Sequence, residues 1–274
     1  MPLSIDTQVT EYVTRWNLTP DGNPITTPNS ELVPVQFRGL PAMLKIATEP
    51  EEQFGGALLP WWNGDGAARV YAHDGPALLM ERALGQRSLA ETARSGRDDD
   101  ACRVLCGVAA KLYAPRSAPP PPTISLAHRF EELWPATDKY AGIFTQCAAT
   151  ARLLLATPQN ETVLHGDLHH GNVLDFGERG WLAIDPKALR GERGFEYANI
   201  FLNPDVETAQ SPDGLARRAA IIAEAAGLDR TRLLQWVLAY SGLSAAWSLS
   251  DKQSAAPALA IASLAAAELR SYGV

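Results

Sequence analysis

The chain has 274 residues, 46% of them apolar and 20% charged, with a net charge of -7 and an isoelectric point near 5.3. The apolar share excludes wholesale disorder, and the length allows one large domain or two modest ones around a sizeable core. The acidic balance speaks against nucleic acid as a partner and suits a polycationic small molecule.

In chain order, the opening run MPLSIDTQVTEYVTRW lacks a basic segment followed by an apolar one, so no secretion signal is expected and the protein is read as cytoplasmic. From Trp16 to about Met80, short β-like runs alternate with turns: Leu32–Phe37, Ala42–Ile46 and Ala77–Met80. One helix is expected among them, over Glu49–Trp62. Pro50 and the acids after it suit a helix start, and Phe54, Leu58, Leu59 and Trp62 recur at helical spacing.

After Gly85 the texture turns helical, with apolar periods near 3.6 predicting helices over Ser88–Tyr113, His128–Thr157, Gly214–Ala226 and Arg230–Trp247. Pro119–Pro122 reads as an extended loop inside this part. Ala255–Ala267, interrupted by Pro257, reads as a packed helix too short to span a bilayer, so no membrane partner is expected. Cys102, Cys106 and Cys147 lack paired zinc spacing and read as buried thiols in a reducing compartment. The class is α+β, a small and mostly antiparallel unit followed by a larger helical one.

One β-rich interlude breaks the helical part: Val163–Leu164, then a hairpin of Val173–Phe176 and Trp181–Asp185 turning at Glu178-Arg179-Gly180. It carries the sequence His165-Gly166-Asp167-Leu168-His169-His170-Gly171-Asn172 and ends in Ile184-Asp185-Pro186-Lys187. Phosphoryl transfer needs a group that aligns the attacking hydroxyl and oxygen ligands for Mg²⁺ on the nucleotide phosphates. Asp167 can supply the first, and Asn172 with Asp185 the second.

His-Gly-Asp-Leu-His-x-Gly-Asn followed by Ile-Asp-Pro resembles the catalytic signature of aminoglycoside phosphotransferases, which share the protein-kinase-like fold. Gly191-Glu192-Arg193-Gly194-Phe195-Glu196-Tyr197-Ala198-Asn199-Ile200-Phe201-Leu202-Asn203-Pro204 is similar to the branch of streptomycin 6-phosphotransferases and hydroxyurea kinases, as is Tyr240–Trp247. The resemblance implies an ATP- and Mg²⁺-dependent kinase of an aminoglycoside-like alcohol. Asp167 is then the base, Asn172 and Asp185 the metal ligands, Lys45 the strand lysine on the nucleotide phosphates, and Glu52, rather than Glu51, its helix partner. It further implies a nucleotide-binding lobe over residues 1–82, a hinge at 80–83 whose Glu81 and Ala83 backbone meets adenine, and a catalytic and substrate lobe over 83–274.

The sequence departs from protein kinases in having neither a G-x-G-x-x-G loop nor a Walker motif. The polar run Thr26-Thr27-Pro28-Asn29-Ser30 takes that place, with Ser30 nearest the following strand. His170 and Lys187 have no fixed role in the resemblance.

Val163–Gln210 holds eight carboxylates against four Lys or Arg, a bias that would draw a cationic substrate. Glu192, Glu196 and Asp205 are candidates for contacting it, each in competition with a structural role, and Trp247 is either a platform for a substrate ring or core packing. Two other readings stay open. His165, His169 and His170 with Asp167 could form a metallohydrolase site, although Gly166 and Gly171 argue against the helix that such spacing needs. The chain could also bind nucleotide without catalysis.

Overall fold

The computed structural model describes residues 5–210 and 214–273. Helix α1 (Ile5–Arg15) leads into a six-stranded antiparallel sheet of β1 (Thr19–Pro20), β2 (Ile25–Thr26), β3 (Ser30–Phe37), β4 (Leu40–Ala47), β5 (Val70–Asp74) and β6 (Ala77–Glu81). Its order is β1-β3-β4-β6-β5, with β2 paired to β3. Alternation along β4 sorts the side chains: Ala42, Leu44 and Ile46 join Tyr12, Val33, Val35 and Leu79 in a core under α1. Met43 and Lys45 therefore face the other way, on the side where Leu78 and Met80 of β6 meet the main core.

The single helix expected over Glu49–Trp62 is two helices, α2 (Pro50–Gly56) and α3 (Leu58–Trp62), meeting at Ala57. Gly55 and Gly56 are weak helix formers, and Pro60 has no N–H to return to the Gly56 carbonyl. Pro50 at the start of α2, with Glu51 and Glu52 in its first turn, is as the sequence suggests.

The larger lobe contains α4 (Leu89–Thr92), α5 (Asp98–Leu112), α6 (Leu126–Arg129), α7 (Leu133–Lys139), α8 (Ile143–Ala156), α9 (Arg193–Glu196), α10 (Val206–Ala209), α11 (Gly214–Ala226), α12 (Arg230–Ser250) and α13 (Ala256–Ser271). Two of the expected long helices are broken. Gly96, at φ 83°, separates α4 from α5, and Gly142, at φ 77°, starts α8 after α7. Helix α12 is the lobe's centre, buried from Leu233 to Ala246 and packed on α8 and α13. Cys102, Cys106 and Cys147 are free and buried, their thiols pushed up to about 12 by that burial. Among the described residues no helix is long and apolar enough to cross a membrane.

Two small sheets cross this lobe. β7 (Ile124–Ser125), β11 (Leu189–Glu192) and β8 (Glu161–Leu164) form one, with β11 antiparallel to β8. The hairpin of β9 (Val173–Asp175) and β10 (Trp181–Ala183) forms the other, in the register Val173↔Ala183. The loop from His165 to Asn172 joins β8 to β9, and Asp185 follows β10, so two strand ends deliver the motif to one place.

Candidate active site

A cavity of about 360 Å³ opens between the lobes. Lys45, Leu78 and Met80 line it from the sheet, Thr27–Ser30 from the β2–β3 turn, Glu52 from α2, and Asp167, Asn172, Asp185 and Lys187 from the larger lobe. Lys45 Nζ lies 2.5 Å from Glu52 Oε2 and also pairs with Asp185, while Lys187 pairs with Glu52 Oε1. Burial alone would raise the Asp185 carboxyl, but Lys45, the Glu52 hydrogen bond and Lys187 outweigh it and hold the group at about 2. Asp185 also takes a left-handed conformation, φ 60°, unusual for a residue other than glycine and fixed by its flanking strand and proline. Gly55 of α2 packs so tightly on this loop that a Cβ there would come 1.8 Å from the Pro186 carbonyl oxygen.

Asp167 is held at both oxygens. Asn172 Nδ2 donates to Oδ2 at 3.0 Å and Asn199 Nδ2 donates to Oδ1 at 2.8 Å. Burial pushes the carboxyl up to about 7, with Lys187 and Asp185 acting in opposite directions on it. Because Asn172 spends its NH₂ on Asp167, its Oδ1 is the acceptor left over; with the Asp185 carboxylate it makes an oxygen donor set that fits a hard divalent ion such as Mg²⁺.

The loop beneath is fixed by polar contacts to backbone. His165 Nε2 lies 2.7 Å from the Ile184 carbonyl, so that nitrogen carries the proton, and Nδ1 accepts the Asp167 N–H at 3.3 Å. Burial lowers this imidazole to about 4, which keeps it neutral for both bonds. Glu196 accepts the His165 N–H at 2.6 Å and the Gly166 N–H at 2.8 Å.

A family model described as "Aminoglycoside/hydroxyurea antibiotic resistance kinase" matches residues 15–252. The chain belongs to that family. It is 51% identical over 242 residues to a streptomycin 3''-kinase of Klebsiella pneumoniae, covering 86% of this chain and 91% of the relative. It is 33% identical over 269 residues to a streptomycin 6-kinase of Streptomyces glaucescens, covering 90% and 84%. To a hydroxyurea phosphotransferase of Kitasatospora aureofaciens it is 31% identical over 264 residues, covering 91% and 75%. Among solved structures, a thermostable mutant of aminoglycoside phosphotransferase APH(4)-Ia, in ternary complex with AMP-PNP and hygromycin B, superposes with a TM-score of 0.68 at 14% identity, covering 96% and 97% of the two chains. A choline/ethanolamine kinase family protein from Mesorhizobium loti does so with 0.68 at 13%, covering 96% and 94%. The kinase thus has the protein-kinase-like two-lobed α+β fold that its motif suggested.

The kinase's histidines do not form a metal centre. His169 Nδ1 accepts the Gly171 N–H at 3.1 Å, His165 is spent on backbone, and His170 is buried with neither ring nitrogen bonded to protein. Among the described residues no three His, Cys, Asp or Glu side chains are grouped to hold a metal ion. That grouping is what the metallohydrolase reading required.

Three expected substrate contacts have other work. Glu192 is 5% exposed and ion-paired with Arg232 at 2.6 Å, beside Gln159 and away from the cleft. Glu196 is 1% exposed and saturated by loop N–H groups; burial raises it to about 7. The Trp247 ring is covered by the Arg129 guanidinium, 4.4 Å from its centroid, and meets Tyr240 edge-on. One face of the ring is therefore occupied by Arg129 and its edge by Tyr240.

Asp205 lines a separate cavity of about 530 Å³ together with Asp98, Asp99 and Glu207. There its carboxylate accepts the Thr208 N–H at 2.9 Å and pairs with Arg94 at 2.7 Å. Ser30 Oγ sits 3.0 Å from Thr27 Oγ1, closing the polar turn at the cavity. On β6 the cavity lining ends at Met80, and the Glu81 carboxylate turns to Arg179 and the Arg69 N–H instead. Ala83 follows in the extended segment leading to α4. That segment is tied to the hairpin, since Gly85 N–H donates to the Asp175 carbonyl at 2.9 Å and Arg87 grips the Asp175 carboxylate through two nitrogens at 2.8 Å.

Sequence reasoning gave Lys187 and Asn199 no role in the site. Each acquires one only by a contact with a residue far along the chain, Glu52 for Lys187 and Asp167 for Asn199.

Proposed function

We propose that this kinase transfers the γ-phosphoryl group of ATP to a hydroxyl of streptomycin, and that the 3''-hydroxyl is the acceptor. Streptomycin is favoured because three of the relatives are named as its kinases, and the 3'' position because 51% identity to the 3''-kinase exceeds the 33% to the 6-kinases. The observation that carries the catalytic reading is the meeting of Lys45, Asp167, Asn172 and Asp185 at one interlobe cavity.

In this reading residues 1–82 bind the nucleotide and residues 83–274 carry catalysis and the acceptor. The hinge at 80–83 offers the Glu81 and Ala83 backbone to adenine, and the Thr27–Ser30 turn covers the phosphates. Lys45, oriented by Glu52, holds the phosphates. Asn172 Oδ1 and the Asp185 carboxylate hold Mg²⁺, which when bound neutralises charge on the transferring group. Asp167 aligns the acceptor hydroxyl and takes its proton as the new P–O bond forms. Asp205, ion-paired with Arg94 and beside Glu207, is the candidate left for contacting cationic groups of the acceptor.

The test incubates the protein with ATP, Mg²⁺ and either streptomycin or hydroxyurea, follows ADP formation, and maps the phosphate by NMR. A 3''-phosphate supports the reading, and a 6-phosphate or phosphohydroxyurea corrects the acceptor. Absence of ADP formation with every acceptor overturns it.

A further inference from the structure

The base candidate is gripped by an amide outside the catalytic loop, in the Gly191–Pro204 run. Asn199 lies in the 3-10 turn Ala198–Leu202, is 9% exposed, and donates from Nδ2 to Asp167 Oδ1 at 2.8 Å across 32 residues of sequence. Its amide has a defined orientation. Asn203 Nδ2 donates to Asn199 Oδ1 at 3.0 Å and to the Asn199 carbonyl at 2.9 Å. With that oxygen spoken for, the NH₂ faces Asp167.

The turn itself is pinned from behind. Arg218 of α11, 2% exposed, donates from Nη1 to the Ile200 carbonyl at 2.8 Å and the Asn203 carbonyl at 2.7 Å. Its Nε and Nη2 hold Asp98 at 2.7 and 2.8 Å. A line of fixed groups therefore runs from a buried guanidinium, through two asparagines, to the carboxylate that faces the cleft.

A carboxylate anchored at one oxygen still turns about its Cβ–Cγ bond, because that torsion is soft. Donors on both oxygens, from different elements, stop the rotation. Asn172 supplies one but also stands in the proposed metal site; Asn199 is not among the residues lining the cleft cavity, and its side-chain NH₂ donates to Asp167.

We propose that Asn199 is a positioning residue for phosphoryl transfer, setting the plane of the Asp167 carboxylate so that its unused lone pairs meet the acceptor hydroxyl. The proposal rests on the reading of Asp167 as the base. Its consequence is that orientation of the base is decided by the turn after α9, outside the catalytic loop.

The experiment compares Asn199→Ala, Asn199→Asp, Asn203→Ala and Asp167→Asn in steady-state phosphorylation of streptomycin by ATP, with thermal unfolding of each variant. Asn199→Ala is expected to lower kcat about 10- to 100-fold with both KM values within about twofold of wild type. Asn199→Asp keeps the volume but sets an acceptor against Oδ1, so it falls further than Ala. A purely structural role predicts the reverse order, with melting temperature and KM moving together. Asn203→Ala removes the bond that orients the Asn199 amide, along with its bond to the Asn199 carbonyl, and lowers kcat several-fold, on the order of the loss of one hydrogen bond, which keeps the test available if the position-199 variants do not fold. Wild-type kcat in the Asn199 and Asn203 variants alongside an inactive Asp167→Asn overturns this inference alone. Wild-type turnover in Asp167→Asn overturns the reading beneath it.

Discussion

Lys45, on β4 of the small sheet, is ion-paired with Asp185, 140 residues later on the far wall of the cleft. The same ammonium holds Glu52, and Glu52 in turn holds Lys187, so four alternating charges join the two lobes. In the proposed reading the nucleotide phosphates and their metal enter this chain of charges, so nucleotide affinity should depend on it.

Lys45→Met should therefore weaken ATP binding and lower kcat/KM by about 10²-fold, as loss of a preorganised cation on a transferring phosphoryl group does. Glu52 keeps Lys187 as a partner in that variant, whereas Asp185 loses the ammonium that most lowers its carboxyl. Calorimetric titration with ATP in Mg²⁺ checks the affinity. An unchanged affinity contradicts the role of Lys45.

Glycine 55 gives a steric test. Gly55→Ala places a methyl 1.8 Å from the Pro186 carbonyl oxygen and must push α2 off the Asp185 loop, whereas Gly56→Ala meets nothing within 4 Å. Overpacking of this kind costs about 1–3 kcal/mol. Chemical unfolding should show that loss for Gly55→Ala, with impaired turnover beside it, and near-neutral stability for Gly56→Ala.

The pH dependence follows from burial. With Asp167 pushed up to about 7, kcat/KM should fall tenfold per unit as pH drops below that value, because the protonated base cannot accept the acceptor's proton. Stability carries the opposite sign. Between the ordinary carboxyl value of 3.8 and about 7, the folded state holds a proton at Asp167 that the unfolded state has released, so unfolding free energy declines as pH rises through this window. Glu196, raised by burial to about 7, adds to the decline. Asp167→Asn removes one of these contributions and flattens the profile, which denaturant titrations at pH 5, 6, 7 and 8 measure directly.

Glu196→Ala should strand the His165 and Gly166 N–H groups in a buried setting, at about 1–3 kcal/mol for each unpaired group. Both melting temperature and turnover should drop. Glu196→Gln retains an acceptor oxygen and should recover part of each, an order that a substrate-contact role for this residue does not produce.

Much of the fold was legible because its elements advertise themselves locally. Ala42–Ile46 lies in a strand as its β-like run predicted, and Gly214–Ala226 is helical as its apolar period predicted. What escaped depends on partners. Leu189–Glu192 contains an arginine and a glycine and becomes a strand only by pairing with β8 and β7. Val70–Asp74 is an edge strand with few buried positions, which leaves no alternation to read.

The site divides the same way. Asp167, Asn172 and Asp185 could be named from a contiguous motif and its hairpin. The roles of Glu196 and Asn199 are set by which backbone and side-chain atoms the fold brings within 3 Å, and their acidic or amide character alone pointed Glu196 toward substrate.

The most direct test is the turnover of streptomycin by Asp167→Asn, measured with ATP and Mg²⁺ beside the affinity of the same variant for ATP. A fall in kcat of about 10²- to 10⁴-fold with ATP affinity preserved is the result this account predicts. Turnover equal to wild type would remove Asp167 from the chemistry and the account with it.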